Sequence, residues 1–214
     1  MKTKTFTVNT FAMNCYIYWD EISHDGVIID PGVYEDFEKN EILDYINANG
    51  INIKLILNTH GHIDHIMGND WAKNSFNVPL LMHKDDMPFI DKALDQGAMF
   101  GVTFPKPPDP DGFIDESNEI KFSDTTFKIL HTPGHSPGSV CFVDEKENVI
   151  FGGDVVFKGS IGRTDLWMGD MDMLLDSIKN KIFKYDDDFV IYPGHMEETT
   201  IGEEKENNPF LNGE

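Results

Sequence analysis

Short apolar runs, separated by turn residues, recur along most of the chain. The longest unbroken one is Cys15-Tyr16-Ile17-Tyr18-Trp19, and runs of this length bounded by Gly, Pro, Asn or Asp read as buried strands. On this pattern residues 6–19 form a strand, and residues 26–30 form another that ends in the turn signal Asp30-Pro31-Gly32. Residues 35–49 follow a helical period, with Phe37, Ile42, Tyr45 and Ile46 assigned to one face and Gly50 placed as a C-cap. Lys54-Leu55-Ile56-Leu57-Asn58 is a short buried strand. A His/Asp-rich loop then occupies 59–65, and helices are expected near 66–76 and 84–98. Prolines at 105, 107, 108 and 110 forbid regular pairing, so 99–113 is expected to be a loop. The second half is mainly β, with strands at 118–122, 125–130, 139–144 and 148–152. Residues 171–183 restore a helical stripe of Met171, Leu174, Leu175, Ile178 and Ile182 behind Asp170 as N-cap. Phe189-Val190-Ile191-Tyr192 is a last buried strand, followed by an acidic helix near 197–206. Two β-rich halves with helices imply one domain, 1–214, built as a layered α/β sandwich rather than a doubly wound sheet.

Composition removes several function classes. The 214 residues carry 38 Asp and Glu against 17 Lys and Arg, a formal charge of −21, which repels phosphate-rich partners and anionic membranes at long range. No apolar run approaches the roughly 18 residues that a membrane span needs. Asn9 and Asn14 interrupt the N-terminal apolar stretch and no small-residue cleavage site follows, so no signal peptide is expected. Cys15 and Cys141 lie far apart in apolar stretches, as expected of buried thiols in a reducing compartment, here the cytoplasm. No G-x-G-x-x-G follows a strand and there is no P-loop, so nothing supports a nucleotide fold.

The chemistry concentrates in Thr59-His60-Gly61-His62-Ile63-Asp64-His65, three histidines and an aspartate directly after a buried strand. Imidazole is the commonest nitrogen ligand for zinc-like metals and carboxylate supplies a hard oxygen donor. In an extended loop His60 and His62 point the same way and can share one ion; Asp64 and His65 emerge past the turn and can serve a second. Three further segments repeat the pattern of strand, glycine-containing turn and potential ligand: Leu130 to His135, Phe151-Gly152-Gly153-Asp154, and Ile191 to His195. The donors His60, His62, Asp64, His65, His135, Asp154 and His195 suffice for two metals.

His60-x-His62-x-Asp64-His65, followed in order by His135, Asp154 and His195, resembles the metallo-β-lactamase superfamily. Thr132-Pro-Gly-His-Ser-Pro-Gly-Ser139 and Gly159-Ser-Ile-Gly-Arg-Thr-Asp165 look most like its hydroxyacylglutathione hydrolase (glyoxalase II) branch, in particular the short bacterial members. The resemblance implies an αββα four-layer sandwich with the site at one edge between the sheets. It implies that His60, His62 and His135 hold a first metal, that Asp64, His65 and His195 hold a second, and that Asp154 bridges them. The implied reaction is attack of metal-bound hydroxide on the carbonyl of a small-molecule, acylglutathione-like thioester, with no serine or cysteine nucleophile. Two divalent ions are the expected cofactors, zinc first, with iron or manganese accepted by the same donors.

Asp64 and Arg163 are the candidate catalytic residues. Asp64 is expected to accept a hydrogen bond from the hydroxide as well as bind metal. Arg163, the lone arginine, suits a substrate carboxylate or the neighbouring Asp165; family members with different substrates share its loop, which favours Asp165. Asp30 is expected to orient a ligand histidine. His131 reads as a packing residue, His24 as surface, and Asp186–Asp188 with Glu203-Glu204 as solvated faces. Long glyoxalase II enzymes contact glutathione through a C-terminal helical region, whereas this chain ends at Glu214, soon after His195, which leaves the thiol half of the substrate open. Two other functions remain in view: a persulfide dioxygenase using His60, His135 and Asp154 as a facial triad on one iron, and a non-catalytic metal-binding protein.

Overall fold

In the computed structural model, which describes residues 1–212, the chain opens as an antiparallel hairpin of β1 (Lys2–Val8) and β2 (Met13–Trp19). The single strand expected over 6–19 is thus broken at 9–12. Asn9 and Ala12 adopt left-handed dihedrals (φ 52° and 54°), and the Asn9 side chain closes the turn by accepting from the Phe11 N–H at 2.9 Å. β3 (Asp25–Ile29) leads to α1 (Asp36–Asn49), which starts at a capping box between Glu35 and Glu38 and stops at Gly50 in the left-handed region (φ 63°). The buried Glu38 also accepts from the Asn9 N–H at 2.6 Å, tying helix to hairpin. Ile42 and Ile46 face inward as expected; Phe37 is 68% exposed, because it lies off their stripe.

β4 (Asn52–Leu57) is followed by α2 (Ile63–Ile66), α3 (Asn69–Phe76) and β5 (Leu80–Met82). The helix expected over 84–98 is divided into α4 (Met87–Asp91) and α5 (Ala93–Phe100). The proline-rich segment is a loop except for the two-residue β6 (Gly112–Phe113). β7 (Glu119–Phe122), β8 (Thr125–His131), β9 (Val140–Asp144) and β10 (Val149–Gly153) form within a residue of their expected spans. A small hairpin of β11 (Val156–Phe157) and β12 (Ser160–Ile161) precedes α6 (Met171–Asn180), whose N-cap Asp170 accepts from the Met173 N–H at 2.9 Å. β13 (Val190–Pro193), β14 (Thr199–Thr200) and α7 (Ile201–Asn207) complete the order. The last helix starts later than expected because Thr199 and Thr200 pair with β13 as an edge strand.

Two six-stranded sheets result, ordered β1-β2-β3-β4-β5-β6 and β14-β13-β10-β9-β8-β7. β2 shows how they stack. Tyr16 and Tyr18 point between the sheets, onto Phe127, Phe142 and Phe151, while Cys15 and Ile17 point outward onto Ile42 and Ile46 of α1. With a side-chain period of two, only a strand covered on both faces buries every residue, and all seven in β2 are buried. On the second sheet, Cys141, Val143 and Ile150 point outward onto Leu174 and Ile178 of α6. The order helix, sheet, sheet, helix is the αββα sandwich. Cys15 and Cys141 are free and buried, and among the described residues no helix is long and apolar enough to cross a membrane.

Glu204, expected on a solvated face, is buried instead. It accepts from Thr199 Oγ1 at 2.5 Å, Asn208 Nδ2 at 2.6 Å and the Gly159 N–H at 3.0 Å, joining α7 to the turn after β11. Glu204→Ala leaves these donors without an acceptor and should cost about 2–4 kcal/mol in urea unfolding; a loss within error would show that water replaces the carboxylate.

Candidate metal centre

β4 ends at Leu57, the chain bends at Thr59, and His62 takes extended dihedrals (φ −67°, ψ 149°) before α2 begins. The His60 ring lies between those of His62 and His65, at 4.9 Å and 4.0 Å, and the first turn of α2 brings Asp64 and His65 together with His195. Asp30, itself in the left-handed region (φ 49°), fixes this segment. Its buried carboxylate accepts from the Thr59 N–H at 2.7 Å, Thr59 Oγ1 at 2.6 Å and His65 Nδ1 at 2.9 Å. These bonds set the tautomers. The Thr59 hydroxyl spends its proton on Asp30, so it accepts from His60 Nδ1 at 3.1 Å and leaves His60 with a bare Nε2. The bond to Asp30 keeps a proton on His65 Nδ1, so that neutral His65 presents Nε2 as its lone pair.

The remaining donors come from the second sheet. His135 lies in the turn after β8, and its Nδ1 donates to the Arg163 carbonyl at 2.7 Å, again freeing Nε2. Asp154 follows β10 and His195 follows β13. The His195 loop is gripped from the first sheet: the Asn14 N–H donates to the Gly194 carbonyl at 2.7 Å, Asn14 Nδ2 to Met196 O at 2.8 Å, and Tyr16 OH to Pro193 O at 2.5 Å. Gly194 has no room for a side chain, since a Cβ there would fall on the Asp154 carboxylate and the His65 ring.

All seven expected donors converge. His60, His62 and His135 form one group and Asp64, His65 and His195 another, the donor atoms of each lying within 4.8 Å of one another. Asp154 stands between them, with Oδ2 3.5 Å from both His135 Nε2 and His195 Nε2, and Oδ1 3.4 Å from His65 Nε2. His60 Nε2, His65 Nε2 and Asp154 Oδ1 are buried with no hydrogen-bond partner. Such atoms are costly to leave unpaired, and two groups of imidazole and carboxylate donors suit divalent metal ions. Burial and the surrounding rings hold His60 well below the usual imidazole range and push His62 down to about 3. Burial also disfavours the charge on His65, but Asp64, Asp154 and Asp30 together hold it well above that range. Asp64 and Asp154, although buried, are kept below the ordinary carboxylate range by His65, with His195 adding to the effect.

Residues 8–195 match the sequence profile of the metallo-beta-lactamase superfamily. The chain belongs to that superfamily. It is 37% identical over 214 residues to the hydroxyacylglutathione hydrolase GloC of Haemophilus influenzae, covering 99% of each chain. BLEG-1 B3 metallo-beta-lactamase superposes with a TM-score of 0.89 at 36% identity, over 99% of this chain and 100% of that one. TTHA1623 in a di-iron-bound form does so with a TM-score of 0.87 at 32% identity, over 97% and 100%. The chain is a metal-dependent hydrolase of this superfamily, whose fold binds divalent metals.

Within this superfamily member, Asp86 is a site residue that the sequence pattern did not reveal. Fully buried, it accepts from the Gly61 N–H at 2.7 Å, Ser136 Oγ at 2.7 Å and the Gly138 N–H at 2.6 Å, so one carboxylate ties the His60–His62 loop to the His135 loop. Arg163 faces the cavity, but its guanidinium is held bidentately by Asp165 at 2.8 Å. His131 stacks on His83 at 4.2 Å and its Nε2 donates to Pro137 O, away from the seven donors. His24 is exposed.

Two outcomes follow for this centre. Asp86→Ala orphans two buried N–H groups and should cost about 2–5 kcal/mol, with faster metal loss to a chelator; unchanged metal retention would limit Asp86 to a packing role. The metal-free protein should melt highest near pH 6.5. Below it, unfolded histidines take up protons that folded His60 and His62 refuse; above it, His65 and His195 lose the extra proton binding of the fold. Metal-loaded protein needs those ligands deprotonated and should keep gaining stability above about pH 7. Melting curves with and without chelator from about pH 4 to 9 check this, and coincident profiles would contradict it.

Proposed function

We propose that this chain is a two-metal hydrolase of small-molecule thioesters, of the acylglutathione-like class. The observation that carries the reading is the pair of three-donor groups with Asp154 set between them. The 37% identity to a hydroxyacylglutathione hydrolase supports the thioester class. His60, His62 and His135 would hold one metal and Asp64, His65 and His195 the other, with Asp154 shared; zinc is the first candidate, iron or manganese the alternatives. Divalent ions bound there supply Lewis acidity toward the carbonyl and bring the pKa of a coordinated water near neutral.

The rest is done by the chain's own groups. Asp64 lines the cavity, 3.1 Å from His195 Nε2, and is placed to accept the proton released as water adds to the thioester carbonyl. Cleavage of the C–S bond then releases a thiol that takes up a proton and an acid that loses one. The Arg163 carbonyl keeps the His135 ring in its orientation, and the Arg163–Asp165 pair shapes the cavity wall. Two buried free thiols support a reducing compartment, the cytoplasm.

Asp64→Ala should lower kcat by at least about 100-fold and reduce bound metal from two ions per chain to one, read by elemental analysis beside thiol release. Full activity with a single metal would end the two-metal reading. One iron per chain with oxygen uptake and no thiol release would favour the persulfide dioxygenase, and metal binding with neither would favour a binding protein.

A further inference from the structure

The cavity in front of the metal centre holds about 690 Å³. One wall is α5, where Met99 and Phe100 are 84% and 51% exposed; another is Trp167, 45% exposed. Aromatic surface continues down to the donors. The Phe89 ring lies 4.8 Å from that of His62, and the Phe157 ring 6.1 Å from that of His195. Phe11 backs Phe100 edge-on at 5.8 Å, and Phe89 backs Trp167 at 5.2 Å. Exposed apolar side chains around a concave site, held edge-on by other rings that line it, do little for folding and much for a ligand.

The charges in the cavity point the same way. Its two cations are both engaged, Arg163 by Asp165 and Lys92 over the Trp167 ring at 4.1 Å, and Asp95 lines the same space. The chain as a whole carries −21. A substrate limb with several carboxylates would lose its hydration against aromatic walls and meet, beyond the Asp165-paired Arg163, only the Lys92 ammonium stacked on Trp167.

We propose that the site selects thioesters whose larger limb is apolar and uncharged, seated between α5 and Trp167. This rests on the thioester-hydrolase part of that reading and departs from its acylglutathione-like class, replacing the anionic glutathione limb with an apolar one. Full burial of a methylene is worth up to about a fourfold gain in binding, so kcat/KM should climb with chain length until the cavity is filled.

The test uses metal-loaded protein and two substrate series: acetyl to octanoyl thioesters of N-acetylcysteamine, and S-acetyl derivatives of alkanethiols of rising length. In at least one series kcat/KM should rise roughly two- to fourfold per methylene and exceed that for lactoylglutathione. Phe100→Ala and Trp167→Ala should flatten that slope with unchanged melting, since both side chains are about half exposed. Flat slopes in both series, slopes untouched by either substitution, or a higher kcat/KM for the anionic glutathione ester would overturn the proposal. Calorimetry with the matching non-hydrolysable thioethers separates the two readings. Chain-length-dependent binding without any thioester hydrolysis would overturn the hydrolase reading and leave the apolar preference standing; length-independent binding overturns the preference itself.

Discussion

Gathering five imidazoles and two carboxylates at a desolvated edge, with their donor atoms within a few ångströms of one another, is the constraint on which the rest of the molecule depends. His62 Nδ1 and His135 Nε2 share one hydrogen bond at 2.7 Å, and several other ring and carboxylate atoms have no partner among the described residues. An arrangement of this kind is unfavourable for a bare polypeptide and persists only where the surrounding structure over-determines each ring. Here three of the four loops that carry a donor are anchored by polar groups from other segments, and beside the fourth, at Asp154, the Gly153 carbonyl accepts from the Gly194 N–H at 2.8 Å. Asp30 fixes His60 and His65, Asp86 ties two ligand loops together, the Arg163 carbonyl turns His135, and Asn14 with Tyr16 grips the His195 turn. The αββα stack makes this feasible because strand ends from both sheets meet at one edge, with rigid cores behind them.

This division explains what could be read from the amino-acid sequence. The seven donors were legible because metal-binding chemistry needs particular side chains at short, fixed spacing after strands. β7 to β10 were legible because alternating apolar runs between turn residues have one physical solution. Asp86 was not, since its role exists only through groups 25, 50 and 52 residues away. Glu204 misled for the same reason: among its acidic neighbours it looks solvated, and only the fold brings Thr199, Asn208 and Gly159 onto it. The turn at 9–12 was hidden because Asn9 reads as a weak interruption until its side chain is seen closing the hairpin. Phe37 is apolar by type but lies off the helical phase of Ile42 and Ile46, and phase decides its exposure.

The lone arginine shows how an identity can be conspicuous while its working part is not. A guanidinium beside a metal site invites a substrate-binding role, yet this one is satisfied by an aspartate two residues on, in a pair largely open to water. Ion pairs so exposed contribute little to stability. The backbone carbonyl of the same residue does the more consequential task of orienting His135, and any residue could supply that carbonyl provided the Gly159–Asp165 loop keeps its course. Side-chain and backbone roles of Arg163 are therefore separable, and a substitution there reports on the cavity wall rather than on the ligand ring.

Electrostatics and shape converge on the same kind of substrate. An excess of 21 negative charges slows the approach of anions unless a local positive field offsets it, and of the cavity's Lys and Arg side chains Arg163 is paired with Asp165 while Lys92 is stacked on Trp167. Positive charge sufficient to attract an anion would have to come from ions held by the seven donors, at the floor of the pocket, and its reach is limited to about 10 Å by salt. On the proposed reading that field would reach the thioester carbonyl and its sulfur at the pocket floor and fade toward the mouth, where Met99, Phe100 and Trp167 stand. A site built this way places charge only at the bond being broken and leaves recognition of the rest of the substrate to apolar contact.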